Sequence, residues 1–165
     1  MDSSKYTVEN GTTLIIKDGV SFLERCDFEG FEQIQRVVLP RTVSWIWRDA
    51  FHGYSSLKSV NIPSEVSRID RDAFAGCYSL KEIVLRDGLK SIESFAFAGC
   101  VKLEKVSLPS TLETIEDYAF SNCKRLKQII IPSGTEIENN HTYLIDEGLY
   151  TALLSKVEQW HKVED

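Results

Sequence analysis

Apolar positions return along this chain with a period of 23 residues. From Leu57 it reads LKSVNIPSEVSRIDRDAFAGCYS, from Leu80 LKEIVLRDGLKSIESFAFAGCVK, and from Leu103 LEKVSLPSTLETIEDYAFSNCKR. The frame reaches back through Ile34 and, more loosely, to Gly11, and it runs forward from Leu126 until it decays near Gly148. Such a period predicts a solenoid, in which each unit buries its apolar face against its neighbours. Residues 11–148 divide into six units, the first and last degenerate. Residues 1–10 are polar and expected to be loose. Leu149, Leu153, Val157 and Trp160 fall on one helical stripe, predicting a C-terminal capping helix over 149–165.

Within the Leu57 unit, Leu57, Val60 and Ile62 mark a short strand with one face inward. Pro63 ends it, because proline cannot donate to a ladder. Val66 and Ile69 return the chain to the core. Asp70 to Phe74 then reads as one or two helical turns carrying Ala73 and Phe74 inward, and Gly76 supplies the left-handed residue that ends them. Each position forms a column. Phe28, Phe51, Phe74, Phe97 and Phe120 make a phenylalanine column ending at Tyr143, and Ala50, Ala73, Ala96 and Ala119 make an alanine column. In the glycine column Asn122 replaces glycine, and in the proline column Arg86 breaks the series.

These units resemble the BspA-like leucine-rich repeat family, the Treponema pallidum type, through the pattern L-x-x-V-x-I-P-x-x-V-x-x-I-x-x-x-A-F-x-G-C. The resemblance covers about 11–148 and is clearest over 34–132. It implies an α/β repeat solenoid: a right-handed superhelix with parallel strands on its concave face and short helical turns on the other. It also implies a protein that binds other proteins or host matrix, often at a bacterial or protist surface.

Composition excludes several alternatives. A formal net charge of −6 argues against a general nucleic-acid binder, which needs a basic surface. No run of 18 apolar residues predicts a membrane-spanning helix. The opening MDSSKYTVENGTTLIIKDGV lacks a basic start followed by an apolar block, so it does not read as a secretory signal. A cytoplasmic address is expected if the chain is complete, and a surface or secreted one if a signal was removed. Cys77, Cys100 and Cys123 share one repeat position. A metal or redox site and a buried thiol ladder are both conceivable; the missing C-x-x-C pair and the lack of a recurring histidine favour the ladder. No cofactor is expected. Of His52, His141 and His161, none stands in a catalytic motif, and no nucleophile, base and orienter can be assembled. An enzyme is not expected.

Binding surfaces are more legible. Between inward strand residues stand Ile15, Val38, Asn61, Val84, Ser107 and Ile130; two positions earlier stand Thr13, Arg36, Ser59, Glu82, Lys105 and Gln128. Together they suggest an apolar strip with a mixed polar border, as interfaces often have, although strand propensity alone would also place Val and Ile there. Ile46 belongs to the inward column of Ile69, Ile92 and Ile115, so Trp45 and Trp47 should point outward, with Arg48 beside them. Two outward tryptophans suggest a binding hot spot. Phe22, Trp45 and Arg68 share a column, so local stacking is the competing explanation. Glu24, Asp70, Glu93 and Glu116 form an acidic column expected to cost stability at low salt. The expected contact set is Trp45, Trp47, Arg36, Val38, Arg48, Asn61, Glu82, Val84, Lys105 and Ile130. The expected activity is non-catalytic recognition of another protein, with a homodimer as one form of it. A small acidic inhibitor of a basic enzyme surface and a cell-surface adhesin are the alternatives.

Overall fold

The computed structural model describes residues 5–25, 30–127 and 129–137. The strands are β1 (Tyr6–Glu9), β2 (Thr13–Ile16), β3 (Phe22–Leu23), β4 (Arg36–Val38), β5 (Trp45–Ile46), β6 (Ser59–Asn61), β7 (Arg68–Ile69), β8 (Glu82–Val84), β9 (Ser91–Ile92), β10 (Lys105–Ser107), β11 (Thr114–Ile115) and β12 (Glu136–Ile137). The described units stack as rungs of a parallel β-solenoid of about five turns.

The L-x-x-V-x-I strands stack in parallel with equivalent residues paired: Val37 lies opposite Val60, and Val106 opposite Ile83. This first strand column falls into two hydrogen-bonded pieces, β1-β2-β4-β6 and β8-β10. A second sheet, β3-β5-β7-β9-β11-β12, runs through the whole stack. It was not anticipated from the sequence. Apart from the terminal β1–β2 pair every pairing is parallel, as a chain that always advances in the same direction requires.

No α-helix occurs among the described residues, which corrects the expected helical turns between Asp70 and Phe74. The reason is a left-handed residue immediately before each Ala-Phe pair: Asp49 (φ 59°), Asp72 (φ 56°), Phe95 (φ 60°) and Tyr118 (φ 58°). A residue in that conformation breaks a right-handed helix. Backbone amides then alternate between two kinds of partner. Phe51 donates to Ala73, Phe74 to Ala96 and Phe97 to Ala119, each at 2.8 Å and each one rung ahead. Ala50, Ala73 and Ala96 instead donate three residues back within their own turn, at 3.2 Å. The third side of each rung is therefore stitched to the next by hydrogen bonds, as the two sheets are. The expected capping helix over 149–165 lies outside the described residues.

The core is continuous through the stack. Phe51, Phe74, Phe97 and Phe120 are fully buried, with successive ring centroids 5.3, 5.3 and 5.2 Å apart and planes within 17°. Leu14, Ile16 and Leu23 of the degenerate first unit are buried and Val20 is partly buried, while Phe28 lies outside the described residues. The expectation that residues 1–10 are loose is corrected for Tyr6–Glu9. β1 pairs antiparallel with β2, placing Tyr6 against Ile16, and the buried Tyr6 ring meets Phe31 edge-on at 5.2 Å. This strand covers the outer edge of the first rung, the position a solenoid must cap.

Where Arg86 breaks the proline column, Gly88 makes the turn instead, at φ +112°. A Cβ built there would lie 2.0 Å from the Ser64 carbonyl oxygen of the preceding rung. At Gly53 (φ +77°) a Cβ meets nothing within 4 Å. Gly53→Ala is expected to cost about 1 kcal/mol, the left-handed penalty alone, and Gly88→Ala about 3 kcal/mol or more, because backbone of two rungs must separate. Urea unfolding of the two variants beside the parent checks the order. Phe97→Ala should cost about 3–5 kcal/mol in the same experiment.

Candidate recognition surfaces and the charged cluster

The candidate residues divide between the two sheets, the strand-face residues on one and the Trp45/Trp47 edge on the other. Arg36, Val38, Asn61, Glu82, Val84 and Lys105 lie on the outer face of the first strand column, and Ile130 continues their register in the last described rung. Trp45 begins β5 of the second sheet, and Trp47 and Arg48 follow it. On the first face Val84 is 50% exposed and Ile130 66%, while Val38 is half-buried. The Asn61 amide is engaged in the fold: its Oδ1 accepts from the Leu39 N–H at 2.9 Å and its Nδ2 donates to the Leu39 carbonyl at 3.3 Å. Gln128 lies outside the described residues.

Trp45 and Trp47 are half-buried rather than freely projecting. Their rings tilt against each other at 5.4 Å, and Phe22 stacks on Trp47 at 5.1 Å. The Arg68 guanidinium sits 4.9 Å from the centre of the Trp45 ring. The stacking cluster considered from the column pattern therefore forms, with Phe22 still 42% exposed at its edge. Neither indole N–H has a hydrogen-bond partner among the described residues.

Arg68 joins this cluster to the acidic column. Its Nη2 lies 3.6 Å from Asp70 Oδ1 and its Nε 3.2 Å from Glu93 Oε1. The Glu93 side chain is only 14% exposed, and Ser91 Oγ donates to it at 3.2 Å. One rung on, Glu116 Oε2 accepts from the Ser94 N–H at 2.9 Å and the Ser94 hydroxyl at 2.8 Å. Register on β9 and β11, Ile92 opposite Ile115, sets the Glu93 and Glu116 carboxyls side by side. Burial first, then the hydrogen-bonded and like-charged Glu116, push Glu93 up to about 7, while Arg68 works against the shift. Glu116 moves the other way. Burial opposes its ionisation, but hydrogen bonds from Glu93 and Ser94 outweigh burial and hold it below the usual carboxylate range.

Cys77, Cys100 and Cys123 are buried free thiols, and each Sγ donates to the carbonyl of Phe51, Phe74 or Phe97 at 3.3 Å. They form the expected thiol ladder, one per rung. Burial pushes the Cys77 thiol well up, and a hydrogen bond from Cys123, followed by burial, does the same for Cys100. Among the described residues no three His, Cys, Asp or Glu side chains converge as metal ligands. Beyond the ends of β4 and β6 lies an open recess of about 430 Å³, lined by residues including Arg41, Asn61, Ser64, Glu65 and Arg86. Its lining holds no histidine, cysteine or lysine. His52 pairs with Asp49 at 2.9 Å on the exposed side of a turn.

A family model described as BspA type leucine-rich repeat region matches six copies, over residues 3–90 and 45–147. Among solved structures, a leucine-rich cell surface protein of Faecalibacterium prausnitzii superposes with TM-score 0.66 at 31% identity, over 79% of this chain and 33% of that one. The T. pallidum leucine-rich repeat protein gives TM-score 0.67 at 22% identity, over 91% of both chains. A Bacteroides ovatus leucine-rich repeat protein gives 0.53 at 30% identity, over 80% and 47%. The chain thus spans about a third of the length of the Faecalibacterium protein. No curated protein matches it.

Two outcomes follow. A raised carboxyl pKa stabilises the fold fully below its unfolded value, 4.5, and the contribution is lost as pH rises through about 7. Glu116 contributes oppositely, losing its stabilisation only as pH falls below 4.5. Stability measured by urea unfolding should therefore decline between pH 4.5 and 7 relative to Glu93→Gln, in which this component is absent. In a Cys26→Ser chain, a thiol reagent should leave Cys77, Cys100 and Cys123 untouched under native conditions and label all three in urea.

Proposed function

The chain belongs to the BspA-type leucine-rich repeat family, and we propose that it works as a non-catalytic module that recognises another protein. The partner meets the outer face of the first strand column, where Arg36, Val38, Asn61, Glu82, Val84, Lys105 and Ile130 stand. Trp45, Trp47 and Arg48 supply a second patch on the other sheet. The observation that carries the reading is the exposure of Val84 (50%) and Ile130 (66%) on rungs cross-linked through their backbones. Large apolar side chains held on such a scaffold lose little entropy on binding, and the charged residues two positions earlier supply a polar rim.

A second reading, a surface adhesin-type domain, draws on the Faecalibacterium relative, described as a leucine-rich cell surface protein and 31% identical over the matched region. The acidic-inhibitor alternative differs from both in its response to salt: charge-driven blocking weakens steeply with ionic strength, and apolar recognition does not.

Capture of partners from source-cell lysate and from host extract, on immobilised protein, tests the proposal. Val84→Lys/Ile130→Lys and Trp45→Ser/Trp47→Ser variants run beside the parent, each with unfolding curves to show that it is folded. A protein retained by the parent and reduced at least tenfold on the first variant supports the strand face. Loss on the tryptophan variant alone moves the contact to the second sheet. Equal retention by all three removes both surfaces from the account.

A further inference from the structure

The Arg68 guanidinium lies over Trp45 among acids that attract it: Glu93 and Asp70 directly, and Glu116 by its charge. It spans three groups: the Trp45 ring at 4.9 Å, Asp70 Oδ1 at 3.6 Å and Glu93 Oε1 at 3.2 Å. The Asp70 anchor is the weaker one. Its separation exceeds hydrogen-bonding length, and the same oxygen accepts from the Arg71 N–H at 2.7 Å. The Glu93 contact is closer but ionic rather than directional, since Arg68 Nε is buried without an aligned hydrogen bond. Its attraction therefore follows the charge on Glu93. With 40% of its side chain exposed, Arg68 has solvent beside it to turn into.

The groups facing Glu93 are few. Arg68, with Asp70 beside it, approaches from the preceding rung and Glu116 from the following one, with Ser91 on its own rung. Lys90 is taken by Glu113 at 2.5 Å. Ser94 donates twice to Glu116 and keeps that acid ionised, so a proton arriving at the pair settles on Glu93.

Resting on the reading of Trp45 and Trp47 as a contact patch, we propose that Glu93 gates it: the ionised carboxylate holds Arg68 across the Trp45 ring, and the protonated acid releases Arg68 and opens the ring to a partner. The step is one proton taken from solvent by the Glu93 carboxylate, with no bond broken other than the ion pair. Burial and the neighbouring Glu116 carboxyl move this titration toward neutral pH. The patch is then closed in alkaline conditions and open in mildly acidic ones.

Tryptophan emission reads the gate without a partner. In a Trp160→Phe background, only Trp45 and Trp47 report. The spectrum should shift to the red as pH falls from 9 to 5, with a midpoint near 7. Glu93→Gln should stay at the acid-side spectrum throughout, and Arg68→Ala should show no transition. His52→Gln removes the imidazole that pairs with Asp49, two residues past Trp47, and should leave the midpoint in place. A flat parent titration overturns the gate, and so does a transition that persists in Glu93→Gln or vanishes in His52→Gln. These outcomes are separate from the capture experiment. Loss of the patch as a binding site would leave the spectral titration intact, and a flat titration would leave binding intact but ungated.

Discussion

Everything in this molecule depends on the hydrogen bonds that join each rung to the next on all three sides. Two sides are sheets; the third is a turn that contributes the same connection through alternate amides. Phe51, Phe74 and Phe97 donate forward one rung, and the alanine before each donates back within its own turn. The two sets of amides interleave, so the turn is locally closed and laterally cross-linked at once. The left-handed residue before each alanine makes this possible, because a continuous right-handed helix would turn every amide back on its own segment. Side-chain stacking follows from the backbone. Rungs locked in register bring the phenylalanine rings to 5.2–5.3 Å and set each thiol beneath a carbonyl of the previous rung.

The same register that builds the core arranges the surface. Columns of equivalent positions become lines of side chains, so one substitution per rung writes a pattern along the stack. On the first strand column that pattern is apolar and polar residues side by side. On the second sheet it changes from aromatic (Phe22, Trp45) to cationic (Arg68) to small and hydroxylic (Ser91, Thr114), beside a line of acids. Arg68 stands where the aromatic and acidic ends meet and satisfies both. Burial and the stacked Glu116 carboxyl make Glu93 resist ionisation, while hydrogen bonds from Glu93 and the Ser94 donors relieve Glu116.

Much of this was legible in the sequence. The period placed Phe51, Phe74, Phe97 and Phe120 in one buried column and identified the thiols as a ladder, because a core requirement repeats at every rung and leaves the same residue each time. The second sheet was not legible. Its strands are two residues long, too short for alternation to register, and only Ile46, Ile69, Ile92 and Ile115 announce them. The turns misled because the left-handed position is filled by Asp49, Asp72, Phe95 and Tyr118 rather than glycine. Phe95 and Tyr118 are tolerated there with their rings stacked at 4.9 Å and nearly parallel. The tryptophans were expected outward and are half-buried, because alternation along one strand says nothing about neighbours on adjacent rungs. Arg68 and Phe22, each about one period away, decide how much of Trp45 and Trp47 is free.

The rung-to-rung hydrogen bonds can be observed directly. Scalar couplings across hydrogen bonds, measured by NMR on deuterated, isotope-labelled protein, connect an amide nitrogen to the carbonyl carbon that accepts from it. Couplings from Phe51 to Ala73, Phe74 to Ala96 and Phe97 to Ala119 are the predicted result. Couplings from those amides to carbonyls four residues back, such as Phe74 to Asp70, would reveal helical turns on this side and contradict the account.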